Sequence, residues 1–267
     1  LGSRLNFTSP DFGLHFATSY LPPATLSPQM PSLRISEIFT SLQGEGRWVG
    51  VPSVFVRTSG CNLRCVWCDT PYASWNPEGP VRPVAEIAEE LIATGVRHVV
   101  VTGGEPMLFE GTTELCQRLH QAGRIITMET AGTVDRELPC DLMSISPKLA
   151  NSTPFGAEGG WEARHEERRW RPDVVAALIA RHDYQLKFVV NPDACEPGAV
   201  PPDVIEIERF LADLGDHDPG RVLLMAEGRD RETQLRRMRA LVPHVIARGW
   251  RMTPRMHIDL FGDTKGT

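Results

Sequence analysis

GCNLRCVWCDT, residues 60–70, places three cysteines, Cys61, Cys65 and Cys68, on one short stretch and supplies no fourth. A closed zinc site takes four protein ligands and disulfides take cysteines in pairs, so a set of three satisfies neither. Thiolates suit zinc and iron–sulfur clusters. No other cysteine or histidine lies nearby in sequence, so a zinc ion here needs a distant ligand delivered by the fold. A [4Fe–4S] cubane gripped by three thiolates instead leaves one iron open. An open metal position marks a catalytic site rather than a structural one.

Outward from this loop, apolar runs alternate with helical patterns. SVFVRTS (53–59) reads as a strand, and VAEIAEELIATG (84–95) gathers Val84, Ile87, Ala88, Leu91 and Ile92 on one helical face. HVVVTGG (98–104) is an unbroken β-branched run, as in a strand buried on both faces. Helices are expected at 112–123, 172–182, 202–215 and 231–249, the last kinked or ended by Pro243. Strands are expected at 124–130, 141–146, 184–190 and 221–227, with RMHIDLF (255–261) as a closing strand.

Strands alternating with helices indicate βα units and a parallel sheet. Six or seven strands fall short of the eight that close a full barrel, leaving a partial or modified (β/α) barrel or an open doubly wound sheet. Polar residues follow six of the runs: the cysteines, Thr102 to Pro106, Glu129-Thr130, Ser146-Pro147-Lys148, Asn191 and Glu227. In parallel α/β folds those strand ends form the active-site face. The charged stretch 150–171 reads as a solvated insertion loop.

The 267 residues carry a net charge of −6, with 41% hydrophobic and 23% charged. This balance gives no electrostatic reason for direct nucleic-acid or membrane-surface binding, and no apolar run is long enough to span a bilayer. Cys116, Cys140 and Cys195 are scattered through core-like segments and read as packing residues, so a metal loop in a reducing compartment points to the cytoplasm. The first 29 residues are rich in Ser, Thr and Pro and lack the basic start and apolar centre of a signal peptide. Residues 1–31 are therefore set apart as a disordered or artefactual extension, and 32–267 as one catalytic domain.

The C-x3-C-x2-C spacing with Trp67 before the last cysteine resembles the signature of radical S-adenosylmethionine (SAM) enzymes, and Thr102-Gly103-Gly104-Glu105-Pro106 resembles their GGEP motif. The resemblance implies a partial (β/α) barrel of radical SAM type, with SAM chelating the open iron. The GGEP backbone and Glu105 would hold the methionine amino group. Glycines allow close backbone approach and a carboxylate bonds an ammonium strongly, so the residue types suit that task.

The flank ISEIFTSLQGEGRWVGVPSVFVRTSGCNLRCVWCDT (35–70) resembles the 7-carboxy-7-deazaguanine synthases nearly residue for residue. Its diagnostic pieces are Gln43-Gly44-Glu45-Gly46 before the first strand, Arg57, and Asp69-Thr70. The likeness continues through VTGGEP and SPK over most of 32–267. It implies conversion of 6-carboxy-5,6,7,8-tetrahydropterin to 7-carboxy-7-deazaguanine with loss of ammonia, in queuosine and related 7-deazapurine biosynthesis. SAM would be regenerated after its adenosyl radical takes and returns one hydrogen.

By the same resemblance Leu42, Gln43, Gly44, Thr102 and Thr267 contact substrate and Arg57 clamps its carboxylate. Gly104, Ser146, Pro147, Lys148, Met225, Ala226 and Glu227 contact SAM. Thr70 binds Mg²⁺ beside the substrate. A lone hydroxyl makes a magnesium site only if substrate oxygens and water complete the octahedron. A reducing electron donor such as flavodoxin and a homodimer are also implied. Each role has a plain competitor: a surface ion pair for Arg57, a loop cap for Lys148, a structural pair for Lys187 and Glu129. Those last two are otherwise candidates for the SAM side. His98 and His257 carry no motif. A glycyl-radical enzyme activase, or an iron–sulfur or zinc binding module, is the alternative reading.

Overall fold

The computed structural model describes residues 1–2, 30–196 and 198–267; the expected N-terminal extension lies largely outside the described residues. Among these, nine strands form one sheet. They are β1 (Ser32–Leu42), β2 (Pro52–Thr58), β3 (Val81–Pro83), β4 (His98–Gly103), β5 (Ile125–Thr130), β6 (Leu142–Ile145), β7 (Tyr184–Val190), β8 (Val222–Ala226) and β9 (Arg251–Met252). The helices are α1 (Val84–Ala93), α2 (Gly111–Gln121), α3 (Trp161–Arg169), α4 (Pro172–Arg181), α5 (Pro202–Leu214), α6 (Arg231–Arg248) and α7 (Met256–Phe261).

The spatial order is β3-β1-β2-β4-β5-β6-β7-β8-β9. From β2 to β9 every pairing is parallel, while β1 runs antiparallel to both β2 and β3. Period two divides each central strand. Val54, Val56, Val99, Val101, Ile126, Met128, Leu186, Phe188 and Leu224 join the core beneath the helices. Phe55, Arg57, Thr102, Glu129, Ser144, Lys187, Val189 and Met225 face the interior cavity. The sheet does not close, although its nine strands exceed the six or seven expected, because β1, β3 and β9 add to the anticipated runs.

The gap is bridged by the β1–β2 loop. Met256 N–H donates to Gly44 O at 2.9 Å, and Gly46 N–H bonds the Thr253 hydroxyl. Farther along the loop, Arg47 N–H donates to Gln185 at 2.8 Å and Trp48 packs 5.7 Å from the His98 ring, covering the strand starts. His98 is buried and links three strands. The Ser53 hydroxyl donates to Val51 O at 2.8 Å and so accepts from His98 Nδ1 at 2.7 Å; His98 Nε2 then accepts from Thr127 Oγ1 at 2.8 Å.

Four expectations are corrected. The Gln43-Gly44-Glu45-Gly46 stretch does not precede the first strand but joins β1 to β2, because SLRISEIFTSL pairs on both sides. Residues 255–261 are mostly helix, not a closing strand; Pro254 and the left-handed Gly262 (φ 72°) bracket α7, and the last strand is β9. Pro243 does not end α6, which runs through it to a Gly249 cap with φ 65°. The 150–171 stretch is not a solvated loop: it contains α3, and Ser152, His165 and Arg169 are buried.

Candidate active site

A cavity of about 440 Å³ opens at the C-terminal ends of the parallel strands. One end is lined by sulfur. Cys61, Cys65 and Cys68 all face it, packed with Leu63, Trp67 and Ala131. Leu63 N–H donates to Cys61 Sγ at 3.4 Å, and Cys68 Sγ lies 3.1 Å from the Ser74 hydroxyl. Burial pushes Cys61 and Cys65 up to about 12 as free thiols, so a bound metal's own charge is needed to hold them as thiolates. Three thiols at one largely apolar end fit the donor set of a three-point cluster.

The GGEP turn is tied to the segment before the cysteines: Gly104 N–H donates to Thr58 O at 3.1 Å and Glu105 N–H to Gly60 O at 2.8 Å. A Cβ on Gly104 would collide with Gly60 O and Ala73 O, so only bare backbone fits there. Glu105 is a correction. It is fully buried and absent from the cavity wall, and its carboxylate accepts from Met107 N–H, Thr130 Oγ1 and Ala131 N–H at 2.8–3.0 Å. It braces the turn, and burial raises its pKa.

Ser146 and Lys148 line the cavity, the ammonium folding back onto Ser146 O and Oγ at 2.7 and 2.8 Å. Met225 lines it too, but Pro147, Ala226 and Glu227 do not. Ala226 has the outward parity of β8 and packs in the core, while Glu227 pairs with Arg237.

The opposite end is polar. Leu42, Gln43, Gly44, Arg57, Thr102 and Thr267 line the same cavity, while Thr70, which also lines it, stays beside the sulfurs with its hydroxyl 3.8 Å from Cys68 Sγ. Glu129 accepts from Gln43 Nε2 at 3.1 Å and from Thr102 Oγ1 at 3.0 Å. Lys187 pairs with Glu45 and lies 3.9 Å from Glu129, which sets both Lys187 and Glu129 at this end. Burial opposes the Lys187 charge, yet Glu45 and Glu129 outweigh it and raise its pKa. Burial likewise opposes the Glu45 charge, but Lys187 and Arg255 hold that carboxyl far below its usual range.

Arg57 donates from Nε to Glu37 at 2.6 Å, and both side chains are largely buried, so the pair is not a surface one. Tyr72 OH donates to the same carboxylate at 2.9 Å.

Sequence reasoning assigned no role to Arg255 or His257. Arg255 joins Glu45 and Asp69 across the cavity, and a Cβ on Gly44 would run into the His257 imidazole. Burial lowers the His257 pKa. Neither residue lies in a motif; only the fold brings them more than 180 positions back to Asp69. Residues 262–267 complete the wall, with the Lys265 ammonium 4.0 Å above the Tyr72 ring.

Residues 55–153 match the radical SAM superfamily. Over 251 residues the chain is 42% identical to a 7-carboxy-7-deazaguanine synthase of Halobacterium salinarum, covering 89% of this chain and 93% of that one. A 7-carboxy-7-deazaguanine synthase of Rhodopirellula baltica is 45% identical over 239 residues, 88% and 89% of the two chains. The crystal structure of QueE from Escherichia coli aligns with a TM-score of 0.60 at 25% identity, over 85% of this chain and 95% of that one.

Proposed function

The chain belongs to the 7-carboxy-7-deazaguanine synthases, within the radical SAM superfamily, and from that membership we propose how its cavity divides the work. The enzyme converts 6-carboxy-5,6,7,8-tetrahydropterin to 7-carboxy-7-deazaguanine and ammonia, a ring contraction without net oxidation. The [4Fe–4S] cluster and SAM together supply a one-electron cleavage that yields a hydrogen-abstracting radical.

In this reading Cys61, Cys65 and Cys68 hold the cluster. The bare backbone at Gly104 lies against the methionine part of SAM, with Ser146, Lys148 and Met225 beside it. Leu42, Gln43, Gly44 and Thr102 seat the pterin, whose guanine-like edge suits amide and backbone groups. Arg57, oriented by Glu37, offers its fork to the substrate carboxylate. Thr70 contributes one oxygen to Mg²⁺, with substrate and water completing the shell. Such an ion stabilises developing charge without moving protons. Pro147, Ala226 and Glu227 hold no direct place in this assignment, because they lie outside the cavity wall.

A single observation carries the proposal: the three cysteines, the bare GGEP backbone and the polar groups share one space, so SAM held at the cysteines and a pterin held by the polar groups would be neighbours. The domain begins at Ser32 with β1. A reduced flavodoxin-type donor, a homodimer and a cytoplasmic address complete the reading. Among the described residues no helix is long and apolar enough to cross a membrane.

The test is anaerobic. Reduced, cluster-loaded enzyme is incubated with SAM, Mg²⁺ and the carboxytetrahydropterin. Deazaguanine product with ammonia supports the assignment, and 5′-deoxyadenosine alone sinks it.

A further inference from the structure

The 150–171 segment meets the cysteine loop through an unusually complete set of polar contacts. The Arg64 backbone N–H donates to His165 Nδ1 at 3.1 Å, and His165 Nε2 lies 2.9 Å from Ser152 Oγ. The partners fix the tautomer. Nδ1 accepts and is therefore bare, so Nε2 carries the proton and donates to Ser152, whose own hydroxyl donates to Leu149 O at 2.6 Å. Val66 N–H donates to Ser152 O at 3.0 Å, and Arg168 Nη1 to Asn62 O at 3.1 Å. The Arg64 guanidinium closes the loop from within, donating to Cys61 O and Leu63 O at 2.8 and 2.7 Å. That guanidinium sits 4.1 Å over the Trp161 ring, on the first turn of α3.

We propose that His165 is a positioning residue for the cluster: it clamps the backbone between Cys61 and Cys68 in its loaded shape, and so governs how long the cluster is retained rather than whether SAM or substrate binds. Arg64 is the residue immediately before Cys65, and its amide has one direction of approach once His165 accepts from it. His165 itself is fully buried and does not line the cavity. Without it the part-buried Arg64 N–H and the buried Ser152 hydroxyl each lose a partner, a loss that loosens the loop directly. The inference rests on the cluster assignment above.

The test uses the full chain, loaded anaerobically, and follows iron release to a chelator together with the EPR spectrum of the reduced cluster. His165→Ala is expected to release iron roughly tenfold faster, the loss of about one buried hydrogen bond, and to shift the spectrum. The spectral response to SAM and the KM for the pterin are expected to stay at wild-type values. His165→Asn places an amide oxygen near the Nδ1 position and is expected to recover most of the retention. Wild-type retention in His165→Ala overturns the proposal, as does His165→Asn behaving no better than His165→Ala, which would indicate packing alone. If His165→Ala does not fold, His165→Gln, whose amide matches the Nε2 position but not Nδ1, decides: faster release supports the clamp on the Arg64 amide and unchanged release overturns it. Failure of the wild-type chain to take up a cluster overturns the site assignment itself, and this inference with it.

Discussion

Lys187 faces two carboxylates from a strand interior, with Glu45 and Glu129 as its partners. Removing one member of a buried pair strands the other charge, at a cost of about 3 kcal/mol or more. Lys187→Met is expected to lower stability by about that much, read as a lower urea midpoint with unchanged slope. Gly104→Ala tests the sulfur end separately. Its Cβ has no room against Gly60 O and Ala73 O, so the turn and the segment leading into Cys61 must shift, and both cluster loading and the SAM-induced spectral change are expected to fall. A normal SAM response in Gly104→Ala would remove this residue from the SAM contact. The cysteines and Gly104 were legible in the sequence because metal and backbone chemistry demand fixed residue types within a few positions. Glu105 was misplaced because a motif states which residues occur together, not which atoms face the cavity. Arg255 and His257 were invisible for another reason, since their neighbours Glu45, Asp69 and Gly44 come from the far end of the chain.

Elements differ in how plainly they announce themselves. Strands β4, β7 and β8 are covered on both faces, and continuous apolar runs betray them. Strand β1 lies toward the sheet edge between β2 and the short β3, with mostly half-exposed residues, so its pattern SLRISEIFTSL did not stand out. Helix α3 hid differently: six of its nine residues are charged, and its buried side is His165 and Arg169, which hydropathy scores as surface. His98 shows how polar residues can serve an element alone. His98→Leu leaves the Thr127 hydroxyl and Ser53 with one fewer partner each. It is expected to cost about 2 kcal/mol while leaving turnover per folded, loaded chain unchanged. A fall in turnover at full loading would give His98 a part in the site.

For the molecule entire, acid is expected to act in two overlapping stages. His98, His165 and His257 are all held below their ordinary value of 6.5, chiefly by burial, and His165 to about 4. The unfolded chain therefore takes up protons that the folded chain refuses, and stability falls as pH drops below 6.5, for His165 down to about 4. Around His165 the nearby charges are Glu166, which favours protonation, and Arg169 and Lys148, which oppose it. Glu45 and Asp69 are depressed carboxyls; their contribution is intact above the ordinary carboxylate range and lost below it. Urea midpoints should decline steadily from near neutrality and then steepen below about pH 4; a flat profile down to about pH 5 would contradict the histidine stage. The parallel architecture was readable from alternation, whereas the way the sheet's two margins are joined was not, since it depends on Met256 finding Gly44 across the whole chain. That seam has a kinetic meaning. A wall sewn by a few hinge amides can part and reseal without unzipping any ladder, so ligands could exchange while the strands stay intact. Deuterium should accordingly enter at Met256 and Gly46 well before it reaches the amides of β4 or β7.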